Sequence, residues 1–191
     1  MRGFGKSRER RKNENIRSRK TMNEIEIKLK VDSFDGIKEK LSDLGFEMKV
    51  SDTEENLFFD DPEGSLVGRR ITVRIKKGNG WSSFAVKTKK QDGDYKVADE
   101  YQTGISDPDG MIGALISLGL EKKFEYSKDR EHWVKGASSV EVDHVPEING
   151  HFIEIEAENG EAIEELVTAL GLQDAERDKR SYPDIIKESK R

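Results

Sequence analysis

Glu24 and Glu26, Glu141 and Asp143, and Glu154 and Glu156 are acids spaced two residues apart. Arg74 and Lys76, Lys87 and Lys89, and Lys128 and Arg130 are bases at the same spacing. On a β-strand, residues i and i+2 point to one face, about 6–7 Å apart. Like charges so placed repel unless an opposite charge lies close by. Any one pair fits the wet face of an antiparallel sheet. The set is different, because acids gather on some strands and bases on others, whereas a solvated face mixes signs. Closing the sheet into a barrel, with helices over its apolar outside, points every pair inward. Burying ions in a dry lumen costs several kcal/mol each. The pattern therefore predicts a wide, wet tunnel with acids in one sector and bases in another. Carboxylates are hard oxygen ligands for divalent cations, and Lys and Arg bind polyanions, phosphates above all. A cation with a polyphosphate is the pairing used in phosphoryl transfer.

The elements that would carry these pairs are legible from periodicity. Glu24 to Lys30 alternates polar and apolar without a break, the period of a strand. Asp32 or Ser33 reads as the cap of a helix with Phe34, Ile37, Leu41 and Leu44 on one face, ended by Gly45. Extended segments follow at 46–50, 56–60 and 71–76, then a hairpin turn at Lys77–Gly80 and strands at 81–89 and 95–105. Asp107-Pro108 starts a second helix. Strands at 121–126, 129–135, 139–145 and 152–157 precede a third helix through Ile163, Leu166, Val167 and Leu170. Leu44-Gly45-Phe46, Leu118-Gly119-Leu120 and Leu170-Gly171-Leu172 end the three helices alike, a weak internal repeat. A short helix starts at Tyr182. The sum is an α+β fold of about eight antiparallel strands with flanking helices and no βαβ rhythm.

Composition narrows the chemistry. The 191 residues are 38% charged and 33% hydrophobic, with a net charge of −5. There is no Cys, which excludes disulfides, thiolate metal sites and cysteine nucleophiles and is compatible with a cytoplasmic protein. No apolar run approaches the roughly 20 residues of a membrane span, and none near the start reads as a secretory leader. Residues 1–20 hold nine Lys or Arg against two acids and lack apolar periodicity, so 1–21 reads as a disordered basic tail ahead of a domain over 22–191. The acidic body argues against nucleic acid as the main partner. His132, His144 and His151 have no partner pattern and read as surface or core residues; Trp81, Phe84, Tyr101 and Trp133 read as packing residues. The motifs of P-loops, dinucleotide folds, zincins, EF-hands and nucleophile elbows are absent.

Several segments, in order, resemble the CYTH superfamily of triphosphate tunnel metalloenzymes, which includes class IV adenylate cyclases, thiamine triphosphatases and inorganic triphosphatases. They are Glu24-x-Glu26-x-Lys28, Leu57-Phe58-Phe59-Asp60, Val73-Arg74-Ile75-Lys76, Phe84-Ala85-Val86-Lys87, Lys128-x-Arg130, and the late strands Val140–Val145 and Phe152–Glu156, with Ser181-Tyr182 at the end. The resemblance covers about 22–188 and implies an eight-stranded antiparallel β-barrel tunnel that binds a triphosphate small molecule with Mg²⁺ or Mn²⁺. It implies Glu24, Glu26, Glu100, Asp143, Glu154 and Glu156 as metal ligands. It implies Lys28, Arg74, Lys76, Lys87, Lys128 and Arg130 on the phosphates, with Glu24, Glu26 and Lys28 in the catalytic group. The branch most similar is the class IV cyclase, which converts ATP to cyclic AMP and pyrophosphate. A triphosphatase and a polyphosphate-binding module of weak turnover stand as alternatives, and homodimers occur in the family. Three residues depart from the pattern: Lys76 and Ala98 where Arg is common, and Gln102 where an acid is common.

Overall fold

A computed structural model describes residues 19–91, 93 and 95–191, with side chains from Ile25 onward except at 91. Most of the expected tail, residues 1–18, and the side chain of Glu24 lie outside the described residues. Among the described residues nine strands are formed: β1 Arg19–Val31, β2 Glu47–Asp60, β3 Ile71–Gly78, β4 Trp81–Gln91, β5 Lys96–Gly104, β6 Glu121–Lys135, β7 Ser138–Val145, β8 Gly150–Ala157 and β9 Glu176–Arg177. The helices are α1 Ile37–Asp43, α2 Ser65–Gly68, α3 Pro108–Ser117, α4 Gly160–Leu170 and α5 Tyr182–Ser189.

All pairings are antiparallel, and β1 through β8 close on themselves in the order β1-β5-β4-β3-β2-β6-β7-β8 and back to β1. The ring closes because β1 is long enough for two neighbours: Arg19–Glu26 pair with β5 on one edge and Ile25–Val31 with β8 on the other. Beyond β5, the same edge takes the two-residue β9.

Two pairs of expected short segments are single strands. β2 runs unbroken through Asp52, Glu54 and Glu55, and β6 through Ser127 and Lys128. Their polar centres are not turns. Asp52 accepts hydrogen bonds from Trp81 Nε1 (2.9 Å) and the Asn79 amide (2.6 Å), while Glu54 and Lys128 face inward. Register shifts near each end of β2 bend these long strands around the ring.

The apolar outer face is covered as expected. α1 and α4 pack Ile37, Leu41, Ile163, Val167 and Leu170 over the outward side chains of β1, β7 and β8, such as Leu29, Val142 and Ile153. α3 lays Met111, Ile112 and Leu115 over Leu57, Phe59, Val73 and Ile75 of β2 and β3. The shared Leu-Gly-apolar endings are one C-cap used three times. Gly45, Gly119 and Gly171 have φ of 81°, 86° and 73°. The next amide (Phe46, Leu120, Leu172) bonds back to the Leu41, Leu115 or Val167 carbonyl at 2.9–3.0 Å. That is the Schellman closure, in which glycine avoids the left-handed penalty. α1 starts later than expected: Ser33 and Asp35 bond to each other (2.9 Å), and Gly36, with φ 73°, precedes the helix.

α5 closes one end of the ring. Its Ser181–Asp184 capping box fixes the start, and Tyr182, Ile185 and Ile186 pack against Tyr126, Val145 and Phe152. Among the described residues no helix is long and apolar enough to cross a membrane.

Candidate active site

The register of the ring decides what its inner wall presents. Lys28 lies opposite Glu154, Glu26 opposite Glu156, and Glu141 opposite Glu154. Arg130 lies opposite Asp143, Glu54 opposite Lys128, and Lys87 opposite Glu100. The strand pattern thus brings Lys28, Arg74, Lys76, Lys87, Lys128 and Arg130 into one interior with Glu26, Glu100, Asp143, Glu154 and Glu156. Of Glu24 only the backbone is described, in register with Ala98.

The signs are not segregated as cleanly as the sequence implied. Most strands are single-signed, but β1 carries Glu26 with Lys28 and β5 carries Lys96 with Glu100, and neighbouring strands answer each other. Arg130 Nη2 reaches Glu154 Oε2 at 2.5 Å, and Lys87 bridges Glu26 (3.7 Å) and Glu100 (3.5 Å). Arg74 lies 3.5 Å from Glu100. Buried ions require partners, and cross-strand pairing supplies them rung by rung.

Asp143 is the deepest of these groups. It is fully buried and receives Arg130 Nε on Oδ1 (2.6 Å), and Arg130 Nη2, Lys128 Nζ (2.9 Å) and Tyr182 Oη (2.7 Å) on Oδ2. A carboxylate has about four lone-pair sites, so its acceptor capacity is used. It orients two cations and ties the plug helix to the wall.

The acids divide by environment. Burial alone would raise Glu26, but Lys87 and Lys96 beside it hold it at about 2. Glu154 is held well below the usual range against its burial, by Lys128 and Arg130. Glu156 goes the other way, to about 7, because of burial and then Glu141, with Lys87 opposing and Glu26 and Glu100 adding to the rise. The corner formed by β7, β8 and β1 therefore holds more negative charge than its cations answer. Buried Lys28 is lowered to about 7 by desolvation first and by Lys96 second. Its Nζ donates to the Arg180 carbonyl and sits 4.3 Å from the Tyr182 ring centroid.

Residues that sequence reasoning missed share this interior. Lys96, on the inward face of β5, lies 3.2 Å from Glu26. Ala98, buried on the same face, stands where the family pattern commonly has Arg; Lys96 provides a cation two residues away. Its signal was available, since Lys96 and Glu100 share the parity of Ala98, but the irregular pairing between Lys89 and Gln91 hid the register. Glu54 is buried among Lys76, Arg130 and Lys128, which hold it at about 2 against its own burial. His132, read as a surface or core residue, lies on the inner wall with Nδ1 3.0 Å from Glu141 Oε1. Trp133 and Phe84 pack as expected, whereas Tyr101 is exposed.

The interior fits both expected guests by chemistry. Arg74 Nε is buried and donates to no acceptor, a spare donor for an anionic oxygen. The Glu26, Glu141 and Glu156 carboxylates are hard oxygen donors whose mutual repulsion a divalent cation would relieve. Among the described residues no three acids or imidazoles are already gathered around one point.

A family model described as the CYTH domain matches residues 22–182. The chain belongs to the CYTH family. A curated relative, adenylate cyclase CyaB of Aeromonas hydrophila, is 29% identical over 178 residues, covering 87% of this chain and 90% of that one. The fold is that of a candidate adenylate cyclase from Vibrio parahaemolyticus, with a TM-score of 0.73 and 21% identity over 86% of this chain and 97% of the other. A candidate adenylyl cyclase from Hippeastrum, described as having a dominant triphosphatase activity, superposes with a TM-score of 0.65 at 19% identity, over 87% and 96% of the two chains. The CYTH ring of this chain is thus built from eight strands and flanking helices, with β9 as an edge addition.

Proposed function

We propose that this CYTH protein is a divalent-metal-dependent enzyme acting on a triphosphate inside the ring, and that its reaction is conversion of ATP to cyclic AMP and pyrophosphate. The observation that carries the reading is the convergence of six expected cations with an over-acidic corner on one inner wall. The cyclase branch is supported by the Aeromonas relative.

Arg74, Lys76, Lys87, Lys128 and Arg130, with Lys28 at the plugged end, would neutralise the triphosphate oxygens. Arg74 and Arg130 bring fork geometry that matches phosphate oxygens in pairs, and the lysines bring point charge. Asp143 and Glu54 hold Lys128 and Arg130 ready for this use, so little reorganisation is needed when the anion enters. Glu26 and Glu156, with Glu141 and Glu24, would hold Mg²⁺ or Mn²⁺. When bound, such an ion neutralises phosphate charge and acidifies the attacking hydroxyl. In the cyclase reaction the ribose 3′-oxygen bonds to the α-phosphorus, the bond from that phosphorus to the bridging oxygen breaks, the hydroxyl proton is released and pyrophosphate leaves. The chain's contribution is positioning and charge stabilisation.

The Hippeastrum neighbour supports a second reading, hydrolysis of a triphosphate at the γ-phosphorus. The two are separated by products. The full chain with Mg²⁺ or Mn²⁺ is offered ATP, thiamine triphosphate and inorganic triphosphate. Cyclic AMP with equimolar pyrophosphate from ATP is expected. Orthophosphate without cyclic AMP selects the hydrolase, and binding without product overturns the enzymatic reading.

A further inference from the structure

β3 runs away from the end of the ring that α5 closes. Its Arg74 pairs with Phe58, which packs into the α5 cluster, and its last residue, Gly78, pairs with Trp81 of β4 at the opposite mouth. Gly78 and Trp81 keep the parity of Arg74 and Lys76, so both face inward. Trp81, expected as a packing residue, is half-buried at this mouth. Its indole lies against Gly78, where an added Cβ would come within 2.3 Å of it. Asp52 Oδ2 accepts from Trp81 Nε1 (2.9 Å) and from the Asn79 amide (2.6 Å), which fixes the ring in place. One step deeper, Ser83 pairs with Lys76 on one side and Gly104 on the other. Ser83 is 1% exposed, and its Oγ has no hydrogen-bond partner among the described residues. A cavity of about 700 Å³ opens between the β3–β4 turn and the β5–α3 connection, with Gly78, Gly80, Trp81 and Gly104 in its lining.

From this geometry we infer, on the triphosphate reading above, that the mouth at Trp81 is a nucleoside subsite, in which the indole stacks the base and Ser83 receives the sugar. The order of groups along β3 and β4 carries it. From the interior outward come Arg74 and Lys76, then Ser83 beside Lys76, then Trp81. That is the order of phosphates, sugar and base in a nucleoside triphosphate, and each step of two residues spans about 6–7 Å. Glycines at 78, 80 and 104 leave the walls without side chains where a flat base must enter. The volume falls in the range of small-molecule sites, about 300–1,000 Å³, which join an aromatic wall to a few polar groups. A buried hydroxyl without a partner costs stability until a ligand supplies one, and a serine hydroxyl rotates to meet it. An indole already held by Asp52 loses little freedom on stacking. Stacking engages the π-face that every base presents. The subsite therefore separates nucleoside triphosphates from inorganic triphosphate, and does not separate one base from another.

The test is calorimetric titration of the full chain, in Mg²⁺, with two ligands that resist turnover: ATP with a methylene bridge between its α- and β-phosphorus, and the bis-methylene analogue of inorganic triphosphate. The parent should prefer the nucleotide by about five- to hundredfold. Trp81→Leu should erase most of that preference. Trp81→Phe, which keeps a ring but gives up the Asp52 bond, should retain most of it. Ser83→Ala should cut nucleotide affinity about three- to tenfold. The nucleotide should also quench indole fluorescence in the parent but not in Trp81→Phe, because the other tryptophan, Trp133, is packed in the core. Should Trp81→Leu fold poorly by circular dichroism, the quenching and Ser83→Ala decide. Equal affinities in the parent, or parallel loss of both ligands in Trp81→Leu and Trp81→Phe alike, overturns the subsite while triphosphate binding stands. If neither analogue binds, the triphosphate reading itself fails and the subsite with it.

Discussion

Replacing Asp143 by Asn keeps the shape of the deepest group in the ring and removes its charge. Arg130 and Lys128 then lose their shared partner. Removing one member of a buried ion pair costs about 3–5 kcal/mol. Here the loss sits at the lower end, because Arg130 retains Glu154 at 2.5 Å and Lys128 retains Glu54 at 3.9 Å and Glu154 at 4.0 Å. A domain of 150–250 residues loses about 2–4 °C of Tm per kcal/mol. Asp143→Asn should therefore melt about 6–12 °C lower than the parent. Adding Mg²⁺ and inorganic triphosphate stabilises any binder by mass action. The gap between variant and parent should also narrow, because phosphate oxygens replace the missing counter-charge. Differential scanning calorimetry with and without ligand reads both effects. A Tm within about 2 °C of the parent, together with a tenfold loss of Mg²⁺ affinity, would refute the reasoning and make Asp143 a metal ligand instead of a positioning group.

Three further outcomes follow from the same geometry. Lys96→Met should weaken metal–triphosphate binding about ten- to hundredfold, the worth of a hydrogen bond to a charged group, and Lys96→Arg should recover most of it; equal affinity for all three proteins in calorimetry would remove Lys96 from the site. Lys76 is lowered to about 8 by burial first, with Glu54 opposing and Arg74 and Arg130 adding to the fall. Above that pH it must take up a proton to meet phosphate, so triphosphate affinity should fall as pH rises through 8, and Lys76→Arg should flatten that decline. The sign for stability is opposite: the unfolded chain binds the extra proton between about 8 and the ordinary lysine value, so this residue makes the free protein more stable as pH rises there. Gly171→Ala should cost about 1–2 kcal/mol, since φ is 73° and the new methyl would lie 2.8 Å from Lys40 Nζ, whose bond to the Leu170 carbonyl must shift. A denaturant midpoint unchanged from the parent would show that the left-handed C-cap carries no strain.

Much of this architecture is legible from period alone. Alternation at Glu24–Lys30, 71–76 and 152–157 gives strands and their inward faces, because an apolar outside under helices and a charged inside leave no ambiguity of parity. Leu-Gly-apolar triplets announce three helix ends because only glycine meets the left-handed cap cheaply. What period does not give is register. Glu54 and Lys96 look like ordinary surface charges until β2 is seen to run unbroken and β5 is aligned against Lys89 and Gln91. The partial mixing of signs has the same origin, since Arg130 meets Asp143 and Lys87 meets Glu100 only through pairing between distant strands. His132 carries no local signal at all: it gains meaning from Glu141, across a strand boundary that periodicity does not define.

The proposed reaction requires a triphosphate inside the ring, between the β3–β4 and β6 cations and the carboxylates of β7, β8 and β1. A crystal structure of the full chain with Mn²⁺ and a non-hydrolysable ATP analogue tests this directly. The predicted result is phosphate oxygens within hydrogen-bond reach of Arg74, Lys87, Lys128 and Arg130, and Mn²⁺ on Glu26 and Glu156. Phosphate density on the outer surface, with the interior ion pairs of Arg130 and Lys87 unchanged, would contradict it.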